Sequence, residues 1–200
     1  MKISNDTLAV LQNFATINNG IQVKAGNSLK TISPNKTLLG LATVPEHFET
    51  PFCIYDLSQF LGTLSLFNSP ELDFGEHAVE IVEGETRLTY VYADPNTIVT
   101  VPEKRLECDG DIEFDLPHKS LESLKKAANI LGLPNLVITT DEAEEYLIAS
   151  ATDVKNSTSN NFKVKLDGET PSGDTFKMVL KFDNLKLIPD DYHVRISSKG

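Results

Sequence analysis

Residues 53–60 read CIYDLSQF, and residues 180–187 read LKFDNLKL. Each is a short apolar run that ends at an aromatic residue, meets an aspartate and then takes up helical spacing. An aspartate at such a junction caps a helix well, because its carboxylate accepts the first unpaired amide protons. Two junctions of this kind in a chain of 200 residues imply one plan used twice.

The flanking sequence follows that plan. Before the first junction lie a helical stretch over 4–17 and strand patterns over 20–26, 27–33, 36–44 and 52–56; the junction leads into a helix over 56–67, with Asp56 as its cap. Strands over 71–74, 77–84 and 87–94 follow. The second half offers a strand over 111–115, a helix over 116–133, strands over 135–141, 144–150, 161–167 and 174–183, a short helix over 183–189 and a strand over 191–197. AGNS (25–28) and TDEAEE (140–145) read as hairpin turns. Leu8, Leu11, Phe14 and Ile17 form the buried stripe of the first helix, and Leu121, Leu124, Ala128 and Leu131 that of the third. The segment 93–110 has two prolines and no periodicity, which marks a connector. The expected fold is α+β: two similar β-rich domains with two helices each, over 1–94 and 111–200, joined by a connector over 95–110. The second half has one strand after its last helix where the first has three, so it is expected to lack a final strand or hairpin.

Composition narrows function by exclusion. No apolar run reaches the roughly 18–20 residues that span a bilayer, and MKISNDTL lacks the apolar core of a secretion signal. Cys53 lies in an apolar strand pattern and Cys108 in a polar loop, without CxxC spacing, as expected of a reduced, intracellular protein. His47, His77, His118 and His193 are scattered and read as surface residues near turns; no zinc spacing, Walker motif, nucleophile elbow or dinucleotide glycine pattern occurs. CDGDIEFD lacks the ligand order of a calcium loop, and LDGETPSGD (166–174) reads as a hairpin loop. No catalysis, cofactor or metal is expected.

Charge is unevenly spread. The net charge is −11, yet residues 1–100 hold 5 basic and 11 acidic side chains while residues 101–200 hold 13 and 18, so local faces of the second half can be basic. Lys119, Lys125, Lys126 and Asn129 lie on the side of the third helix away from Leu121 and Leu124, and Lys186 lies on the short fourth helix. The first helix instead turns out Asn5, Gln12, Thr16 and Asn19, an uncharged face where surface helices usually carry lysine and glutamate.

MKISNDTLAVLQNFATINNGIQVKAG (1–26) resembles the opening of the sliding clamps, the DNA polymerase processivity factors, of T-even-like tailed phages, as do IYDLSQFLGTLSLFN (54–68), ADPNT (93–97) and the DYHVRISSKG end. The resemblance runs, with gaps, along the whole chain. It implies a DNA-clamp fold and a homotrimeric ring that passes duplex DNA through its hole. A clamp loader opens and closes such a ring, which tethers the replicative polymerase in the cytoplasm of the infected bacterial host, without catalysis and away from membranes.

On that basis Asn5, Gln12, Thr16, Lys119, Lys125, Lys126 and Lys186 are expected to face DNA. Weak polar contacts and a few lysines would attract the duplex without gripping it. The chain departs from the family in having Asn5 and Gln12 where lysines are usual, and in stopping short of the family's final strand or two. Strand 88–94 is expected to pair with strand 161–167 of a neighbouring subunit, with Tyr90, Tyr92, Lys163 and Lys165 at the interface. Ile98, Val99, Val101 and Pro102 are expected to form an apolar pocket for partner tails, with a mere linker anchor as the competing reading. Two other classes fit the composition: a viral structural β-rich oligomer, and an enzyme or sugar-binding β domain of unrecognised kind.

Overall fold

A computed structural model describes residues 1–102, 110, 112–140, 146–168 and 176–197. The chain divides into two compact units, Met1–Lys104 and Arg105–Gly200. Residues 103–109 of the connector expected over 95–110, Cys108 among them, most of the turn TDEAEE with the whole of DEAEE, and most of the loop LDGETPSGD lie outside the described residues.

In the first unit α1 (Asn5–Ile17) is followed by β1 (Ile21–Val23), β2 (Gly26–Ile32), β3 (Leu39–Phe48) and β4 (Phe52–Ile54). Then come α2 (Leu57–Leu64), β5 (Glu71–Phe74), β6 (Ala78–Glu83) and β7 (Thr86–Val91). Strand β1 pairs with β4, β2 with β3, and β5, β6 and β7 form a meander, every pair antiparallel. Met1 extends that meander: Leu72 N–H donates to the Met1 carbonyl (2.7 Å), and the terminal amine donates to the Leu72 carbonyl (2.5 Å). AGNS is therefore not a hairpin turn. The chain leaves β1 through Gly26, whose φ of +116° suits glycine, and β2 takes β3 as its partner instead.

The second unit has β8 (Ile112–Leu116), α3 (His118–Leu131), β9 (Asn135–Thr140), β10 (Leu147–Thr152), β11 (Asn161–Gly168), β12 (Lys177–Lys181) and β13 (Tyr192–Ile196). Its sheet order is β12-β9-β10-β11-β8-β13. The plan repeats in the pairing itself. As β4 pairs with β1, so β12 pairs with β9; as β2 pairs with β3, so β10 pairs with β11; Met1 lies beside β5 as β8 lies beside β13. Among the described residues nothing pairs beyond β13 in the place that β6 holds beyond β5.

Three expectations need correction. The fourth helix is a single 3-10 turn, Phe182–Asn184, closed by Leu185 N–H to the Phe182 carbonyl (3.0 Å). Beyond it Leu185 and Leu187 turn inward while Lys186 is exposed, an extended alternation, and Pro189 disfavours helix at Ile188. Among the described residues the second unit thus has one α-helix rather than two. In α3 the buried stripe is Leu121, Leu124 and Ala128, then Leu133 in place of Leu131. Gly132 reverses the chain at φ +66°, and Leu133 N–H returns to the Ala128 carbonyl (2.9 Å), which turns Leu133 in and leaves Leu131 42% exposed. Finally, α2 ends at Leu64 instead of reaching residue 67.

Each unit has its own core. In the first, Leu11 and Phe14 of α1 and Leu57, Phe60 and Leu64 of α2 pack with Ile21, Val23, Ile54, Leu72, Val79 and Ile81. In the second, α3 lies on β10 and β11 over Ala149, Ala151 and Leu166. Helix ends are capped partly from afar. Asp56 accepts from Gln59 N–H (2.8 Å) as expected, but α1 is also held by Glu46 of β3, which accepts from Ser4 N–H (2.5 Å) and from the Thr7 hydroxyl. Burial alone would raise the Glu46 pKa; the hydrogen bonds from Thr7 and Ser4 outweigh it and hold the carboxyl below its ordinary range. Pro117 cannot cap α3, so Asp191 accepts from His118 N–H (2.7 Å).

Candidate nucleic-acid and partner interfaces

The polar faces of the helices follow from the buried ones. With Thr7, Leu11 and Phe14 inward, α1 exposes Asn5, Ala9, Gln12 and Thr16 as one stripe. With Leu121, Leu124 and Ala128 inward, α3 exposes Lys119, Glu122, Lys126 and Asn129. Lys126 ion-pairs with Glu122 one turn earlier (2.8 Å), which depresses the Glu122 pKa. Lys125 is half-buried; burial, and next the charge of Lys186, pull its pKa down. Lys125 and Lys186 thus act on each other although Lys186 is not helical. Of the residues expected to face DNA, Asn5, Gln12 and Thr16 share the exposed face of α1, and the four lysines belong to α3 and the segment after the 3-10 turn.

The connector behaves differently along its length. Ile98 is 7% exposed, and its Cδ1 would lie only 2.9 Å from a Cβ placed on Gly20, so it pins the segment to the unit and is not a pocket wall. Val99, Val101 and Pro102 line a groove of about 350 Å³ with Gly20, Ile21 and the polar side chains of Gln22, Ser28 and Thr31. Its charged lining residues are Lys24 and Lys30. Asp94 caps the short turn Pro95–Thr97 that delivers Ile98.

Tyr90 and Tyr92 pack against the core of their own unit. Tyr90 packs edge-on against Phe60 (5.1 Å) and hydrogen-bonds Gln59 Oε1 (3.1 Å). Tyr92 stacks on Phe52 (5.4 Å), and burial pushes its pKa up to about 12. Strict alternation along β7 sends Leu88, Tyr90 and Tyr92 to one side and Arg87, Thr89 and Val91 to the other, with Val91 70% exposed. Lys163 and Lys165 are exposed on β11, and Lys165 lies 4.1 Å from the centre of the Tyr146 ring.

His193 is not a turn residue. It stands in β13 opposite Asp115, with Nδ1 2.9 Å from Asp115 Oδ1 and Nε2 3.6 Å from Glu113 Oε2, while Arg195 Nε donates to Glu113 (2.6 Å). The hydrogen bond to Asp115 above all, and the charge of both carboxylates, raise the His193 pKa above 6.5. The charged imidazole therefore stabilises the β8–β13 pair below its unfolded pKa, and that contribution is lost as pH rises through the folded value. Chemical denaturation should find His193→Gln destabilised relative to the parent in acid, with the gap closing as pH rises; a gap that widens toward alkaline pH would contradict this account.

Among the described residues no group of three or more metal-ligating side chains occurs, and no helix is long and apolar enough to cross a membrane. Comparison with solved structures places the fold. Proliferating cell nuclear antigen from Entamoeba histolytica superposes with a TM-score of 0.69 at 13% identity, covering 96% of this chain and 85% of that one. The DNA polymerase III subunit beta from Pseudomonas aeruginosa gives 0.64 at 15%, over 98% and 59%. The fold is that of the sliding clamps. The family model for the C-terminal part of the gp45 sliding clamp matches residues 113–200. The sliding clamp of Vibrio phage KVP40 is 35% identical over 100% of this chain and 92% of its own length, and that of Enterobacteria phage T4 is 30% identical over 100% and 89%. The chain belongs to this family of phage sliding clamps, non-catalytic processivity factors of DNA replication. The reading as a viral structural subunit is not favoured.

Proposed function

We propose that this chain closes as a homotrimer around duplex DNA, independently of sequence, and tethers the replicative polymerase while itself catalysing nothing. A clamp loader would open and close the ring in the cytoplasm of the infected bacterial host. The observation that carries the ring is a pair of open strand edges, one in each unit. Among the described residues β7 has a partner on one side only, and residues 161–166 of β11 pair with β10 alone, since β8 takes up only Asp167 and Gly168. Open edges invite pairing, and a head-to-tail pairing that repeats closes a ring.

One antiparallel register suits both strands. With Leu88 opposite the neighbour's Leu166, Thr89 meets Lys165 and Val91 meets Lys163 on one face, and Tyr90 and Tyr92 meet Val164 and Phe162 on the other. The tyrosines then contribute through the apolar side of the strand, with their hydroxyls turned into their own unit.

Partner tails are assigned to the groove beside Val99, Val101 and Pro102, whose two lysines suit a peptide with an apolar anchor and acidic flanks. In support, one structure of the same fold is the Helicobacter pylori beta clamp bound to a DNA ligase peptide, and another is A. fulgidus PCNA bound to the C-terminal region of FEN-1. The reading is tested by sedimentation and by loading onto nicked circular DNA. A trimer should form, stay on the circle and leave when the circle is cut. A monomer at all accessible concentrations, or retention that survives linearisation, would overturn it.

A further inference from the structure

The helices of the two units carry different chemistry. Exposed residues on α1 are Asn5, Asp6, Ala9, Gln12 and Thr16, and on α2 Ser58, Gln59 and Gly62, followed by the exposed C-cap Ser65. Neither helix contains a lysine or arginine. Three hydroxyls are also turned back on the backbone. Thr16 donates to the Asn13 carbonyl (2.7 Å), Thr63 to Gln59 (2.9 Å) and Ser65 to Gly62 (2.7 Å). A hydroxyl that already donates to its own backbone has no proton left for a phosphate oxygen. Lys2, which shares a shallow groove with Asn5 and Gln12, donates to Ser69 Oγ (3.1 Å). In the second unit α3 carries Lys119, Lys125 and Lys126, and Lys186 acts on Lys125 from the neighbouring segment.

We infer that the second unit supplies the electrostatic hold on the duplex, and that the faces of α1 and α2, which carry no basic side chain, lie against DNA without gripping it. The inference rests on the encirclement proposed above. Phosphate contacts by lysine release counterions and make affinity fall steeply with salt, whereas contacts by amides and internally bonded hydroxyls do not. Half of each subunit's DNA-facing surface would then add nothing to the salt dependence, and the duplex would be drawn toward one unit of each subunit.

The test measures binding of the assembled protein to a short fluorescent duplex over a series of salt concentrations. Lys119→Gln, Lys125→Gln, Lys126→Gln and Lys186→Gln combined should remove most of the salt dependence and weaken binding at least tenfold, with the matching arginine variant restoring both. Lys2→Gln should change neither. Gln12→Lys with Thr16→Lys should steepen the slope of log affinity against log salt, by up to about two for each subunit in contact, and slow one-dimensional diffusion on long DNA. Thermal melts check that each variant folds. A slope that survives the four-lysine change, a loss caused by Lys2→Gln, or no effect of the added lysines would overturn the inference. Failure of the encirclement reading shows separately, as loss of the parent protein's retention on closed circles.

Discussion

Replacing Leu124 with alanine will destabilise the second unit by about 3–5 kcal/mol, the upper part of the range for buried leucines. Leu124 is 0% exposed, midway along the buried stripe of α3. The core around it includes short side chains, Ala128 on the helix and Ala149 and Ala151 on β10, the last two also 0% exposed, beside larger ones such as Leu166 of β11. These alanines let the helix sit close to the sheet, and for the same reason they cannot extend to fill a void. The cavity should stay open and its lining lose contact on every side. Ile130, on the same helix but 82% exposed, is the internal control; its change to alanine should stay within about 0.5 kcal/mol. Denaturant unfolding compares the two. Equal losses would mean that α3 is rotated from the orientation described.

Val99→Asp combined with Val101→Asp will weaken binding of the polymerase's C-terminal peptide by about ten- to a hundredfold, the equivalent of losing one buried apolar anchor. Ile98 pins the connector to Gly20, so the substituted residues project from a segment whose seat is unchanged. Val99 is 41% exposed, and the change exchanges apolar wall for charge without opening the core. The two new carboxylates would also sit near Lys24 and Lys30 and compete with any acidic flank of the peptide. Calorimetric titration reads the affinity, and a melt confirms that the variant folds. Undiminished binding would place the partner site elsewhere. Ile98→Asp should act differently, lowering the stability of the first unit, because a carboxylate would be driven into the space beside Gly20.

Both predictions depend on elements of very different legibility. The first strand-to-aspartate junction was readable because capping and apolar periodicity are local properties, whereas at the second Asp183 lies inside a 3-10 turn instead of capping a helix. Asp56 caps α2 by reaching three residues along the chain, and Leu121 and Leu124 face inward through helical spacing alone. The strand positions were readable for the same reason, as was the uncharged face of α1. The fourth helix was misread because 183–189 has helix-compatible spacing, while the choice between turn and helix fell to Pro189 and to the inward packing of Leu185 and Leu187.

What lay beyond the sequence was contact between distant segments. Glu46 looks like an ordinary strand carboxylate until β3 brings it to the start of α1, 42 residues away in the chain. His193 reads as a surface histidine until antiparallel pairing sets it opposite Asp115, 78 residues earlier. The tyrosines of β7 sit in a strand that is an edge in its sheet, yet their rings belong to the core beneath, and only the packing of α2 shows which side they take. Local chemistry determined where the elements begin, which faces they bury and that the plan is used twice. The tertiary structure decided which strands pair, which edges stay open and which charges meet, because those depend on separations through space that periodicity along the chain does not encode.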